Sequence, residues 1–200
     1  MHINALNSRR TLVALGVGAA LATTLTACGG SDPSTVASPP SAGASVQGVA
    51  TVHNDADVTF IQDMTPHHAG AIGMAQLASD RAASPQVKDL ARRIAGAQAP
   101  EIDRMKAMAT AWGAAAPSMD GGMGGMSGGM DDVKALTPLR GSAFDREFLT
   151  RMTKHHSSAV DMSKQELAQG TNPQAKELAT SIISAQEKEI AEMQQLLTKF

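Results

Sequence analysis

Apolar residues recur at helical spacing in four stretches of the chain, and the stretches form two matching pairs. In the first, Phe60, Met64, His67, Ala71, Met74 and Ala78 fall on one stripe at about 100° per residue, with His68 at its edge. Phe148, Met152, His155, Ala159, Met162 and Glu166 repeat that stripe further on. The partner stretches carry Val87, Leu90, Ile94, Gln98, Glu101, Met105 and Met108, then Leu178, Ile182, Gln186, Glu189, Met193 and Leu196. Laying each residue on the one 88 positions later, without a gap, gives 18 identities over the 46 positions from Phe60 to Met105. Such self-similarity marks a duplicated supersecondary unit.

Helix boundaries repeat as well. Ser84-Pro85 and Asn172-Pro173 each put an N-cap residue before proline at the first helical position. Asn54-x-x-Asp57 and Ser142-x-x-Asp145 read as corresponding caps. The pattern predicts helices over 55–80, 85–112, 143–169 and 173–199. Pro66 lies inside the first, where it removes a backbone hydrogen bond, and Lys154 replaces it in the second copy. One hairpin leaves an apolar stripe uncovered, whereas two cover each other. The expected fold is all-α: a four-helix bundle built from two repeated antiparallel hairpins over residues 54–200.

The rest of the chain reads differently. Arg9 and Arg10, an uncharged run from Thr11 to Leu25, and Leu25-Thr26-Ala27-Cys28 have the layout of a signal peptide over residues 1–27. Its end resembles a bacterial lipobox, which implies that Cys28 is lipidated and the protein is held on the extracytoplasmic face of the cell membrane. Ser8 to Leu12 also resembles part of a twin-arginine export signal, so the export route stays open. Residues 28–53, rich in Ser, Pro, Ala, Gly and Val, are expected to be a disordered tether. The loop 113–141 holds Met119, Met123, Met126 and Met130 among paired glycines, a composition that opposes helix and suggests a mobile segment with four exposed thioethers.

Charge and composition narrow the chemistry. Without Arg9 and Arg10, 15 basic residues face 19 acidic ones, a net charge of −4 with no basic run. Nucleic acid is therefore a poor partner. Modification of Cys28 would leave no thiol, which rules out disulfides and thiolate metal sites. Gln98, Glu101, Gln186 and Glu189 interrupt otherwise apolar faces, and buried polar groups need partners. Counted from the turn, Gln98 comes level with His67 and Glu101 with Met64. Folding the hairpins together would gather His67, His68, His155, His156, Met64, Met152, Glu101 and Glu189 at one level. Hydrogen-bonded packing is one reading of these residues. The other is a metal centre.

Thioethers suit Cu(I), imidazole suits several metals, and copper fits the donor set best. No Glu-x-x-His occurs, as a di-iron bundle would require. Copper held by neutral imidazole should weaken as pH falls through the ordinary histidine range near 6.5. The four loop methionines form a second candidate set for a soft ion.

Phe60-Ile-Gln-Asp-Met-Thr-Pro-His-His-Ala-Gly-Ala-Ile-Gly-Met74 and Phe148-Leu-Thr-Arg-Met-Thr-Lys-His-His-Ser-Ser-Ala-Val-Asp-Met162 resemble the signature of domain of unknown function family 305. That resemblance, over about residues 54–200, implies a ferritin-like helical bundle, export, and kinship with CopM-like copper-binding proteins. It implies Met64, His67, His68, Met74, Met152, His155, His156 and Met162 as candidate ligands, to which the facing helices add Glu101, Met105, Glu189 and Met193. Arg151 and Lys154 depart from the usual pattern, so a weaker second site is expected. The function expected from the sequence is a non-enzymatic, lipid-anchored protein that sequesters or transfers Cu(I). A metal-dependent oxidase and a metal-free helical lipoprotein acting through protein partners are the alternatives.

Overall fold

A computed structural model describes residues 48–117 and 128–200, which lie in one compact unit. The described residues hold five helices and no strand: α1 (Asp55–Arg81), α2 (Pro85–Trp112), α3 (Gly128–Leu136), α4 (Gly141–Gln169) and α5 (Pro173–Leu197). The four long helices form the two expected hairpins, α1 with α2 and α4 with α5, which meet mainly through α1 against α4. None of these helices is long and apolar enough to cross a membrane. Cys28, Met119, Met123 and Met126 lie outside the described residues.

The caps explain where the helices begin. The Asn54 side chain accepts from the Asp57 N–H while the Asn54 N–H donates to Asp57 Oδ2 at 2.7 Å, a complete capping box. Ser84 and Asn172 cap α2 and α5 ahead of their prolines. The expected cap at Ser142 is not used. α4 starts two residues earlier, after Arg140 and without a side-chain cap bond, and Gly141 takes φ +64°, a conformation that costs glycine little.

Asp145 is drawn away from its own helix end. Its carboxylate accepts the backbone N–H of Ala83 and Ser84, in the turn of the other hairpin, the latter at 2.9 Å. Asp57 reciprocates on the α4–α5 turn. It accepts the N–H and hydroxyl of Thr171 and the N–H of Asn172, the last at 2.9 Å. Both aspartates are fully buried, so each hairpin satisfies the turn of the other. The last residues of the expected tether, 48–53, also lie against this end of the bundle. Asn172 donates to the carbonyls of Ala50 and Val52, Trp112 donates to Ala50, and His53 stacks on Trp112.

Two apolar clusters fill the bundle. One contains Met74, Leu90, Ile94, Phe144, Phe148, Met152 and Met193. The other contains Phe60, Ile61, Met64, Ile102, Met105, Leu178 and Ile182, with Met162 packed against it. α3 corrects the expectation that 113–141 is loop throughout. Its Leu136 is fully buried in the first cluster, and Val133 packs against the same cluster. Tertiary contacts thereby stabilise a nine-residue helix whose composition alone would not hold it.

Candidate metal centre

The histidines of the two repeats meet where α1 faces α4. His67 and His155 have ring centroids 3.7 Å apart with planes tilted by 37°. His67 Nε2 is hydrogen-bonded to Ser158 Oγ at 2.8 Å. His68 and His156 are fully buried, and each has Nε2 2.8 Å from a carboxylate on its own hairpin, Glu101 and Glu189 respectively. The two pairs are related by the repeat, since 68 to 156 and 101 to 189 are both steps of 88.

Residue counting placed Glu101 level with Met64, but its carboxylate reaches His68, one turn nearer the hairpin. Side chains lean toward the N-terminus of their own helix, and the N-terminus of α2 is at the turn. The lean shifts Glu101 and Glu189 onto the second histidine of each pair. The methionines also part company with the expectation of one level. Met64 and Met105 share a cluster with Met162 beside it, whereas Met74, Met152 and Met193 share the other. Each set combines two methionines of one repeat with one of the other, as two-fold related hairpins require. Met130 stands exposed on the first turn of α3.

This polar layer is incompletely satisfied by protein groups. Nδ1 of His67, His68 and His156, both ring nitrogens of His155, both amide atoms of Gln98 and Oε1 of Gln186 are buried without a hydrogen-bond partner. Buried polar atoms are seldom left so, because each costs about 1–3 kcal/mol. Gln98 and Gln186 therefore do not provide the bonds their spacing suggested. Among the described residues, no three or more His, Cys, Asp and Glu side chains converge as a ready-made ion site. A metal at this level would have to draw on thioether sulfur or on histidines turned from their stacked positions.

Protonation favours donation to a soft ion. Burial, reinforced by the neighbouring histidines, lowers His67 to about 2 and His155 to about 3. Both rings are thus neutral far below the ordinary histidine range, contrary to the expectation of titration near 6.5.

A second titratable pair lies at the α1 N-terminus, where sequence reasoning assigned only a capping acid. Glu166 is 2% exposed and stands where the first repeat has Ala78. A Cβ at Gly170 would fall 2.5 Å from Glu166 Cδ and 2.7 Å from Asp57 Oδ1, so the two carboxyl groups converge on that glycine. Burial, followed by the interaction with Asp57, raises Glu166 to about 8. For Asp57, burial acts upward, but Glu166 and the N–H groups of Asn54, Asn172 and Thr171 together hold it below its usual value. Both oxygens of Glu166 are buried without a hydrogen-bond partner, and a group so raised carries its proton at neutral pH. Beside it a cleft of about 290 Å³ is lined by Asp55, Asp63, Met162 and Glu166, among others.

The neighbour Ser158 and the helix α3 are the parts of the site that sequence reasoning missed. A signal was present: the repeat breaks at Gly70 against Ser158 and at Asp63 against Arg151. Arg151 bonds to Asp132 of α3 at 2.7 Å and to Glu147 at 2.6 Å. Its departure from the first copy therefore serves α3.

Comparison with known proteins places this geometry in context. The chain is 37% identical to CopM in its Cu(II)-bound form, over 72% of this chain and 96% of that one, with a TM-score of 0.64. The Cu(I)-bound form of CopM matches at 35% identity over the same shares, with a TM-score of 0.62. A DUF305 fragment from Deinococcus radiodurans is 28% identical over 74% of this chain and 98% of its own, with a TM-score of 0.64. An uncharacterized protein of Acanthamoeba polyphaga mimivirus is 43% identical over 61 residues, 30% of this chain, and the match spans 40% of that relative's length. Residues 57–197 match the family described as Domain of unknown function (DUF305), and the chain belongs to that family.

Proposed function

We propose that this protein is an exported, lipid-anchored copper-binding protein that sequesters or hands on Cu(I) through Met and His ligands, and is not an enzyme. The observation that carries the reading is the buried layer of four histidines with unpartnered ring nitrogens, flanked by clusters of buried thioethers. Neutral imidazole and thioether are donors that suit Cu(I), and neither has a proton to lose at neutral pH. CopM, similar over most of this chain, has been solved bound to Cu(I), Cu(II) and silver.

His67, His68, His155 and His156 are the central candidates, with Met64, Met105 and Met162 on one side and Met74, Met152 and Met193 on the other. Glu101 and Glu189 orient His68 and His156 through Nε2 and leave Nδ1 to donate. Met119, Met123, Met126 and Met130 form a separate set for capture of the same soft ion. Export is supported by the signal-like N-terminus and by similarity to a DUF305 protein of Streptomyces coelicolor described as secreted, at 33% identity over 72% of this chain. Cys28 is the proposed site of lipidation.

The test is anaerobic Cu(I) titration of the full chain with elemental analysis, joined to thermal unfolding of wild type and His67→Leu/His155→Leu. A ligand at a hundredfold excess over its dissociation constant stabilises by about 2.7 kcal/mol. The double variant should lose most of that gain. Equal Cu(I)-induced shifts in the two proteins would return the histidines to packing, and the absence of any bound copper would leave a metal-free bundle acting through protein partners.

A further inference from the structure

The two repeats put different residues at the position that faces each stacked histidine. Ser158 supports Nε2 of His67, but its counterpart in the first repeat is Gly70. A Cβ at Gly70 would lie 3.4 Å from His155 Nε2, so glycine withholds from His155 the hydroxyl that serine gives His67. The space is taken by backbone of α3. That same Cβ would sit 2.8 Å from Gly129 Cα, and a Cβ on Gly129 would sit 2.9 Å from Gly70 Cα and 3.8 Å from His155 Nε2. Glycine is required on both sides for this approach. One step along, a Cβ at Gly73 would come 3.1 Å from Val133 of α3. Asp161 is the counterpart of Gly73 in the second repeat.

α3 is held by Leu136 in the core, by Val133 packed against the same cluster, by the Arg151–Asp132 pair and, just past its C-terminus, by the Arg81 guanidinium, which donates to the carbonyls of Thr137 and Leu139. The ion pair is partly exposed, and such pairs are weak. A nine-residue helix with glycine in its first turn has little stability of its own. Segments so held are the ones that open locally while the rest of a protein stays folded. Beneath α3, His155 is 7% exposed and neither ring nitrogen has a partner.

We infer that α3 is an opening cover over His155, and that a soft metal ion reaches the histidine layer by its displacement. The inference rests on the copper reading for the identity of the ion, though not for the cover itself. His155 is the ring reached first, because its Nε2 lies against Gly129 of α3 and has no hydrogen bond to break, whereas Nε2 of His67 is held by Ser158. The repeat asymmetry then has one cause: Gly70, Gly73 and Arg151 differ from Ser158, Asp161 and Asp63 because only one of the two equivalent grooves receives a helix.

Two variants of the full chain loosen α3 by different means. Asp132→Ala removes its ion pair, and Gly129→Ala forces its backbone off Gly70 although alanine favours helix. The metal-free proteins are treated briefly with diethyl pyrocarbonate, which modifies accessible neutral imidazole, and each histidine is followed by peptide mass spectrometry. Modification of His155 should rise about two- to fivefold in Asp132→Ala, the range set by a partly exposed ion pair, and further in Gly129→Ala. His67, His68 and His156 should change little, and anaerobic Cu(I) should associate faster with both variants. Unchanged reactivity of His155, or equal acceleration at all four rings, would overturn the cover. Selective exposure of His155 in a protein that binds no Cu(I) with or without the substitutions would sustain the cover and remove the copper reading.

Discussion

Glu166 offers a quantitative test of the buried carboxyl pair, because its behaviour separates in pH from everything around it. Its value is about 8 in the fold against a reference of 4.5, so the folded protein holds a proton there that the unfolded chain releases. A raised acid contributes stability that is complete below its unfolded value and is lost as pH climbs toward the folded one. Between pH 5 and pH 8 this single group should cost wild type about 3–4 kcal/mol, at about 1.4 kcal/mol for each unit of difference. Glu166→Gln keeps the shape, cannot ionise, and presents an amide N–H to Asp57 in place of the acid proton. The variant should therefore match wild type closely at pH 5 and exceed it by about 3–4 kcal/mol at pH 8, roughly 10 °C in melting temperature for a domain of this size. Thermal unfolding of both metal-free proteins across that range is the assay. His67 and His155 stay neutral in both folded proteins over this range, and the rest of the unfolded chain is the same in both, so those contributions cancel in the difference. A gap of the same size at pH 5 and pH 8 would show that Glu166 does not hold its proton at neutral pH, and the account of a raised, buried acid would fall.

Other outcomes follow from the same structure. His67 and His155 have lowered values, so they favour unfolding as pH falls from about 6.5 toward 3; His67→Leu/His155→Leu should lose about 4 kcal/mol less stability than wild type between pH 7.5 and pH 5 in metal-free melts. Asp145→Ala strands the buried N–H groups of Ala83 and Ser84 and should destabilise by about 2–4 kcal/mol in denaturant titration, whereas Asp145→Asn, which keeps a carbonyl acceptor, should cost less. Replacing Met119, Met123, Met126 and Met130 by Ser should lower the number of Cu(I) ions bound in a titration, and unchanged stoichiometry would make that segment a linker. Cys28→Ala should release the protein from the membrane fraction or block its processing, and full retention would remove Cys28 from the anchoring account.

Much of the architecture was legible along the chain because it is local and written twice. Helix periods, proline at N1 after Ser84 and Asn172, and the capping box of Asn54 and Asp57 depend on residues within a few positions of one another. The ungapped 88-residue repeat then required two hairpins to cover each other. The histidine layer was legible in outline for the same reason: His67, His68 and Glu101 interrupt an apolar stripe and recur in the second copy.

What the sequence by itself determined is therefore the set of helices, their pairing into hairpins, and the polar residues that must be buried between them. Only the tertiary structure decided which of those residues meet. Asp57 and Asp145 carry the local mark of capping acids, yet their carboxylates serve turns more than 60 positions away, because buried N–H groups in the opposite hairpin have no nearer acceptor. The lean of side chains along antiparallel helices sent Glu101 to His68, a shift that residue counting does not register. Glycine-rich composition argued against α3, and Leu136, buried in the core with Val133 packed beside it, outweighed that propensity once α1 and α4 offered a groove. The ungapped repeat also made the two halves look alike. Their structural difference lies in single exchanges, Gly70 for Ser158 and Asp63 for Arg151, whose meaning depends on a helix that approaches only one side.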